Sequence, residues 1–313
     1  MDRTDKIERL NVASARRIVE PDTEVPGHVG DGQLLPDDLL SIAGLDLDLT
    51  AEQRATLSRE EIASITDMGV RFECVLMAGF CLQLTSAEDL TDPRVIYALH
   101  EVGEETRHSR LFSRLIGQIK PKAKNPMNKP ILRRLERFGL NLIIRRPALL
   151  DVLVLGGEEI PDLFQKLASE HPDTDPFVKA VNKYHRMEEA RHLAYARTVL
   201  PERWAEATWT DRFAVRHIAP LVIGDMFRFI VHPGVYATVG LPAWETWKAA
   251  QQTPQRRALR HEATRGVLKA LVEGDVFRPG RIPKRWQQLC GVDRHGKPLA
   301  DAPTLSAMLA QRG

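Results

Sequence analysis

The sequence predicts an all-α protein whose core is a bundle of four long helices. Between residues 47 and 235 the chain consists of long segments with helical composition. No stretch alternates apolar and polar residues between hairpin turns, so a β-sheet is not expected. Two helical segments carry nearly the same five residues near their middles, at residues 104–108 and 188–192. These observations predict long helices that lie side by side and bring the two motifs together.

The elements follow in order along the chain. Residues 1–46 are predicted to form an extension, because proline and glycine recur there and no helical period persists beyond residue 20. Residues 47–235 are predicted to form the bundle, and residues 236–313, with scattered proline and tryptophan, an appendage packed on it. The predicted helical segments are residues 50–84 (with a candidate break near 66–69), 92–119, 131–168 (interrupted at Pro147), 175–198 and 211–231, and residues 120–130 are predicted to form a loop.

The repeated motif reads Glu-Glu-Thr-Arg-His and then Glu-Glu-Ala-Arg-His. Each copy contains Glu-x-x-His, formed by Glu105 with His108 and by Glu189 with His192. Residues three apart lie on one face of a helix, so each pair can offer an oxygen and a nitrogen to one point. Two such helices, with one carboxylate from each of two further helices, build the dinuclear metal site of ferritin-like bundles.

The two further carboxylates stand in otherwise apolar helical runs. Glu73 interrupts residues 70–77, and Glu158 and Glu159 interrupt residues 152–160. A buried carboxylate is costly unless it is paired or bound to a metal. The alternative, solvated helix faces with coincidental histidines, accounts for either Glu-x-x-His alone but not for acids placed within two apolar runs. Both Glu158 and Glu159 remain candidates for the third helix.

His185 is a further candidate, since it lies four residues before Glu189 and therefore on the same stripe of the helix. Glu101 occupies the corresponding position of the first copy. His185 is a metal ligand, a histidine that supports the site from outside it, or a surface histidine. Arg107 and Arg191 point about 100° away from the neighbouring histidines, which favours surface or inter-helix ion pairs.

These residues resemble the non-haem diiron N-oxygenases of the p-aminobenzoate N-oxygenase family over roughly residues 50–235. The element His185-x-x-x-Glu189-x-x-His192 is the most specific part, because other ferritin-like oxidases with two Glu-x-x-His motifs usually lack the extra histidine. The resemblance favours Glu158 over Glu159 on the third helix. It further implies ligand roles for Glu73, Glu105, His108, His185, Glu189 and His192.

The resemblance also implies a function. Two iron ions, with O2 and external electrons, would oxidise the nitrogen of a small-molecule amine to a hydroxylamine, nitroso or nitro product in antibiotic or other natural-product biosynthesis. Imidazole and carboxylate ligands suit iron or manganese, and the missing thiolate argues against structural zinc. Two alternatives are a diiron C–H hydroxylase or desaturase acting on a small or carrier-bound substrate, and a non-catalytic iron-binding protein. The implied partners are a ferredoxin or other reductase and a second copy of the chain.

Composition narrows the remaining classes of function. Lys and Arg total 44 against 42 Asp and Glu, a net charge of +2, so neither nucleic acid nor an acidic membrane is an expected partner. The charged N-terminus and the absence of an apolar run of about 20 residues predict a cytoplasmic protein. Candidate pocket residues are Met77, Phe80, Leu84, Leu155, Met187 and Phe227, although such an apolar stripe is more often plain core packing.

Overall fold

The computed structural model describes residues 2–300, 302, 303 and 305. Within this part of the chain every extended regular element is a helix, and only an isolated bridge pairs Val292 with Pro298. The all-α prediction is confirmed. The α-helices are α1 (Arg3–Arg16), α2 (Pro21–Glu24), α3 (Ala51–Leu84), α4 (Pro93–Ile119), α5 (Pro130–Ile144), α6 (Pro147–Glu170), α7 (Pro176–Glu206), α8 (Trp209–His217), α9 (Ala219–Phe229), α10 (Gly234–Ala237), α11 (Ala243–Gln252), α12 (Pro254–Glu273) and α13 (Lys284–Cys290), and 3-10 turns cover Asp37–Leu39 and Pro126–Asn128.

The core is a bundle of the four longest helices. Helix α3 packs against α4 and α6 packs against α7, while contacts of α4 with α7 and of α3 with α6 close the bundle. The predicted ferritin-like architecture is therefore confirmed. Each of the four helices carries one of the acid-containing segments, so the bundle directs all of them toward a common interior.

Local sequence signals explain where the bundle helices begin. Thr50 and Gln53 form a reciprocal capping box at the start of α3. Asp92 caps α4 ahead of Pro93, and Asp175 accepts hydrogen bonds from the first backbone N–H groups of α7.

Three sequence-based boundaries were wrong. Helix α3 runs without a break through residues 66–69, and α7 continues through Pro201 as far as Glu206. The segment predicted over residues 211–231 is two helices, α8 and α9, that meet at Ile218. Pro220 lies in the first turn of α9, where its missing N–H costs no helical hydrogen bond and a new helix begins readily.

Two glycines let α6 approach its neighbours closely, immediately before Glu158. A Cβ atom at Gly157 would overlap the ring of Phe72 on α3, and one at Gly156 would lie 2.7 Å from Ile223 on α9. A larger residue at Gly157 would push α6 away from α3, and one at Gly156 would push it away from α9, at the level of the predicted metal site.

The terminal segments share the core of the bundle. One contiguous cluster of buried apolar residues extends from Val19 to Val292. Helix α1 packs across α4 and α7, and α12 packs against α6. The division into residues 1–46, 47–235 and 236–313 stays a prediction, and residues 301, 304 and 306–313 of the predicted appendage lie outside the described residues.

One segment, Trp209–Ala237, is long and apolar enough to qualify as a candidate membrane span, with a mean hydropathy of 1.3. The expectation that the chain contains no such run was wrong. The segment comprises α8, α9 and α10 with breaks between them, and 56% of its most apolar window is buried inside the protein. Buried core helices of other proteins pass the same test of length and composition, so this segment is weak evidence for a membrane span.

Candidate metal centre

Seven of the eight predicted ligands meet in the interior of the bundle. They form two adjoining groups, and within each group one potential ligand atom per residue lies within 4.8 Å of the others. All seven side chains are buried. The first group is Glu73, His108 and His185, and the second is Glu105, Glu158, Glu189 and His192.

Glu189 lies between the two groups. One of its oxygens, Oε1, is 3.1 Å from His108 Nδ1 and 3.3 Å from His185 Nε2. The other, Oε2, is 2.9 Å from His192 Nδ1. Glu105 takes a similar position from α4, with its two oxygens 3.2 Å from His108 Nδ1 and 3.4 Å from His192 Nδ1. Two carboxylates therefore face both groups at once.

The donor atoms fit a pair of divalent cations. Glu73 Oε1, Glu105 Oε1 and Glu189 Oε1 are buried and lie 3.1–3.4 Å from histidine nitrogens, but none of them accepts a well-aligned hydrogen bond among the described residues. A buried carboxylate oxygen without a good hydrogen bond is costly, and a bound cation removes that cost. Four carboxylates and three imidazoles form the oxygen and nitrogen set that iron and manganese accept, and two divalent ions would neutralise the four acids.

The electrostatics of the site point to the same need for positive charge. Burial alone would lower the pKa of His108 and His192, yet their contacts with Glu105, Glu189 and neighbouring acids raise both pKa values well above normal. Burial and the charge of Glu189 raise the pKa of Glu105 and of Glu158. Protons thus supply the charge that metal ions would bring, and metal binding should release them.

The structure places the adjacent side chains of Glu158 and Glu159 in different surroundings. Glu158 faces Glu105, Glu189 and His192, whereas Glu159 forms an ion pair with Arg197 and contacts Gly266 on α12. Adjacent residues on a helix point about 100° apart, so both cannot face the same centre. Glu159 is not brought into the cluster, and the ligand role on α6 is assigned to Glu158 alone as a prediction.

A family model described as P-aminobenzoate N-oxygenase AurF matches residues 1–275. The chain belongs to this family. The match reaches well beyond residues 50–235, so the resemblance seen in the motifs is confirmed and covers all of residues 1–46 and about half of residues 236–313. The AurF family is one of diiron enzymes, and the buried acid and histidine groups of this chain are arranged so that they could hold metal ions.

The curated relatives that match this chain are described as uncharacterized, so they suggest no specific activity for it. An uncharacterized protein of Mycobacterium bovis, Mb0909, and one of Mycobacterium tuberculosis, Rv0885, are each 28% identical over 176 residues. The match covers 55% of this chain and 50% of each relative, so the chain spans about half the length of the curated relatives it matches.

Substitution of His185 tests whether the two proposed metal positions of this AurF-family protein differ. Its Nε2 is 3.4 Å from Glu73 Oε1, and its Nδ1 is 3.0 Å from Gln165 Oε1. We expect His185→Ala to lower iron content from about two ions to about one per chain, because only the first group loses a nitrogen. Metal analysis of the purified variant measures this. A full complement of iron in that variant would remove His185 from the ligand set.

Sequence reasoning missed two glutamates that support the histidines. His108 Nε2 is 3.0 Å from Glu188 Oε2, and His192 Nε2 is 2.8 Å from Glu104 Oε2. Each motif's first glutamate thus contacts the histidine of the other helix. A carboxylate at Nε2 holds the proton there and leaves the Nδ1 lone pair for a metal. The repeated Glu-Glu pair was the signal that could have found them.

The arginines and one tyrosine extend this support. Arg191 lies 2.9 Å from Glu104, and Arg107 lies 3.7 Å from Glu188, so both make the predicted inter-helix ion pairs. The Tyr184 hydroxyl donates to Glu188 at 3.0 Å. Glu104 is buried, which alone would raise its pKa, but His192 and Arg191 lower that pKa to about 2.

Glu101, the counterpart of His185 in the first motif, is buried beside His192 without entering either group. Burial raises its pKa to about 8, although the charge of His192 opposes the shift. Because the first motif has glutamate and the second has histidine at this position, the two ends of the site are chemically different.

A cavity opens beside the cluster and reaches Glu73, Glu158 and His185. None of the candidate pocket residues lines it, and three of them, Phe80, Leu155 and Phe227, belong to the buried core. The cavity lies instead against side chains such as Met68, Phe72 and Met226, which sequence periodicity alone does not distinguish from other core residues.

Proposed function

We propose that the protein is a diiron N-oxygenase that uses O2 and external electrons to oxidise the nitrogen of an amine. The observation that carries this proposal is the third histidine. His185 adjoins Glu73 and Glu189 in a site that otherwise has the two Glu-x-x-His pairs common to ferritin-like bundles. The ligands proposed for the two irons are Glu73, Glu105, His108, Glu158, His185, Glu189 and His192.

The protein's own residues hold and orient this centre. Glu104 and Glu188 fix the orientation of the imidazoles, and Gln165 does the same for His185. The surrounding core keeps bulk water from the ligands, since all seven are buried. Iron, when bound, supplies the activation of O2. A ferredoxin or other reductase is the proposed electron source.

The apolar cavity next to the ligands favours an enzyme over an iron store. It offers space for an organic molecule within reach of Glu73 and His185. A C–H hydroxylase would use the same ligands, so the nature of the product separates the two enzyme classes.

The test is product analysis with iron-loaded protein. The protein is reduced without oxygen and mixed with O2 and each member of a panel of aromatic amines, and the products are identified by mass spectrometry. We expect oxygen on nitrogen. Glu159→Gln serves as the control variant, because Glu159 lies outside the ligand cluster and should leave activity unchanged. Oxidation at carbon alone would contradict the proposal.

A further inference from the structure

The cavity beside the ligand cluster has a largely apolar lining. It is bounded on one side by Glu73, Glu158 and His185. The remaining wall is largely aliphatic, aromatic and thioether side chains from α3, α4, α6, α7 and α9. Those used below are Met68, Phe72, Phe112, Ile160, Met226 and Ile230.

Among the described residues no lysine or arginine lines this cavity. Its few neutral polar groups are largely engaged elsewhere. The Thr66 hydroxyl donates to the carbonyl of Ile62, and Gln165 Oε1 faces His185. Asn182 adds only a neutral amide. With two divalent ions balancing the ligand acids, an anionic group that points away from the ligands would lie against apolar carbon without a lysine or arginine to pair with.

We infer that this cavity admits an uncharged aromatic amine without a carboxylate. The inference rests on the proposed function and names the substrate class of that site. The compound in the family's name, p-aminobenzoate, carries a carboxylate at neutral pH, and burying that charge without a partner is unfavourable. An aromatic amine is uncharged at the same pH, and the rings of Phe72 and Phe112 can pack against it.

A buried cation, Arg256, belongs to an adjoining cavity and does not change this. Arg256 lines that second cavity together with Glu61, so the two charges there oppose each other. The Arg256 guanidinium lies over Phe227 at 4.5 Å and donates to the Phe227 carbonyl. A carboxylate reaching that place would have to approach Glu61 as well.

The experiment compares two probes of nearly equal shape, 4-methylaniline and 4-aminobenzoate. Binding to the iron-loaded full chain is measured by calorimetry with oxygen excluded. We expect 4-methylaniline to bind at least about 10-fold more tightly, which corresponds to about 1.4 kcal/mol. Equal or tighter binding of 4-aminobenzoate would overturn the inference.

A variant that adds a positive charge to the cavity provides a second test. A reversed binding preference cannot result from loss of folding. Met68→Arg should reverse the preference, because it places a cation in the wall of the cavity. Met226→Arg repeats the change from α9, and Met127→Arg is the matched control on a turn outside the cavity. If both cavity variants fold, as judged by thermal melting, and keep the wild-type preference, the inference is wrong.

Binding without O2 also separates this inference from the proposed function. A preference for the neutral amine can hold even if the products prove to be oxidised at carbon. Conversely, nitrogen oxidation of a carboxylate-bearing amine that binds better than 4-methylaniline would uphold the function and contradict the substrate class.

Discussion

Glu189→Ala is expected to abolish iron binding at both positions and with it all O2-dependent turnover. Glu189 is the carboxylate that approaches His108, His185 and His192 together, so its removal takes an oxygen from both groups. It also removes one of the acids that raise the pKa of His108 and His192. The loss of metal affinity should exceed the roughly 10–100-fold that follows removal of a group outside the direct ligands. Metal analysis after dialysis measures it.

The matched control for Glu189→Ala is Glu159→Ala. Both residues are glutamates on bundle helices, but Glu159 pairs with Arg197 and contributes nothing to either ligand group. Its variant should retain about two irons per chain and wild-type turnover. Glu105→Ala should behave like Glu189→Ala, since Glu105 also faces both groups. A Glu189→Ala protein with a full complement of iron would show that the metals lie elsewhere.

The sequence predicted the ligand residues of this site better than it predicted the residues that surround them. A helix has a fixed period, so the spacing of Glu105 with His108 states which side chains share a face before any tertiary contact is known. An acid in an apolar run, such as Glu73, likewise predicts that the carboxylate has a buried partner. Both features are local, and the structure brings these residues together.

What the sequence left open depended on contacts between helices. Glu158 and Glu159 are equally acidic neighbours, and only the packing of α12 against α6 directs Glu159 toward Gly266 and away from the cluster. The cavity wall follows from the approach of α6 to Phe72 at Gly157, which no periodicity encodes. The pairing of Glu188 with His108 similarly depends on the register of α7 against α4.

The second large effect is expected from Glu104→Ala and Glu188→Ala, although neither removes a ligand. Each should weaken iron binding by roughly 10–100-fold, because the imidazole that loses its carboxylate at Nε2 can rotate or carry its proton on Nδ1. Glu104→Ala acts on His192, and Glu188→Ala acts on His108. Competition with a chelator measures the affinity. Glu206→Ala, an exposed glutamate at the end of α7, is the control.

The size and selectivity of these effects distinguish positioning from mere stability. Glu104→Gln keeps the shape and an acceptor oxygen but loses the charge, so it should bind iron with an affinity between those of wild type and Glu104→Ala. Because the pKa of Glu104 is about 2, its carboxylate stays ionised at neutral pH and its support should not vary there. If all three variants melted early but bound iron as wild type does, the crossed pairs would serve only to hold α4 against α7. Reduced affinity with an unchanged melting temperature would instead establish that each motif's first glutamate positions the histidine of the other.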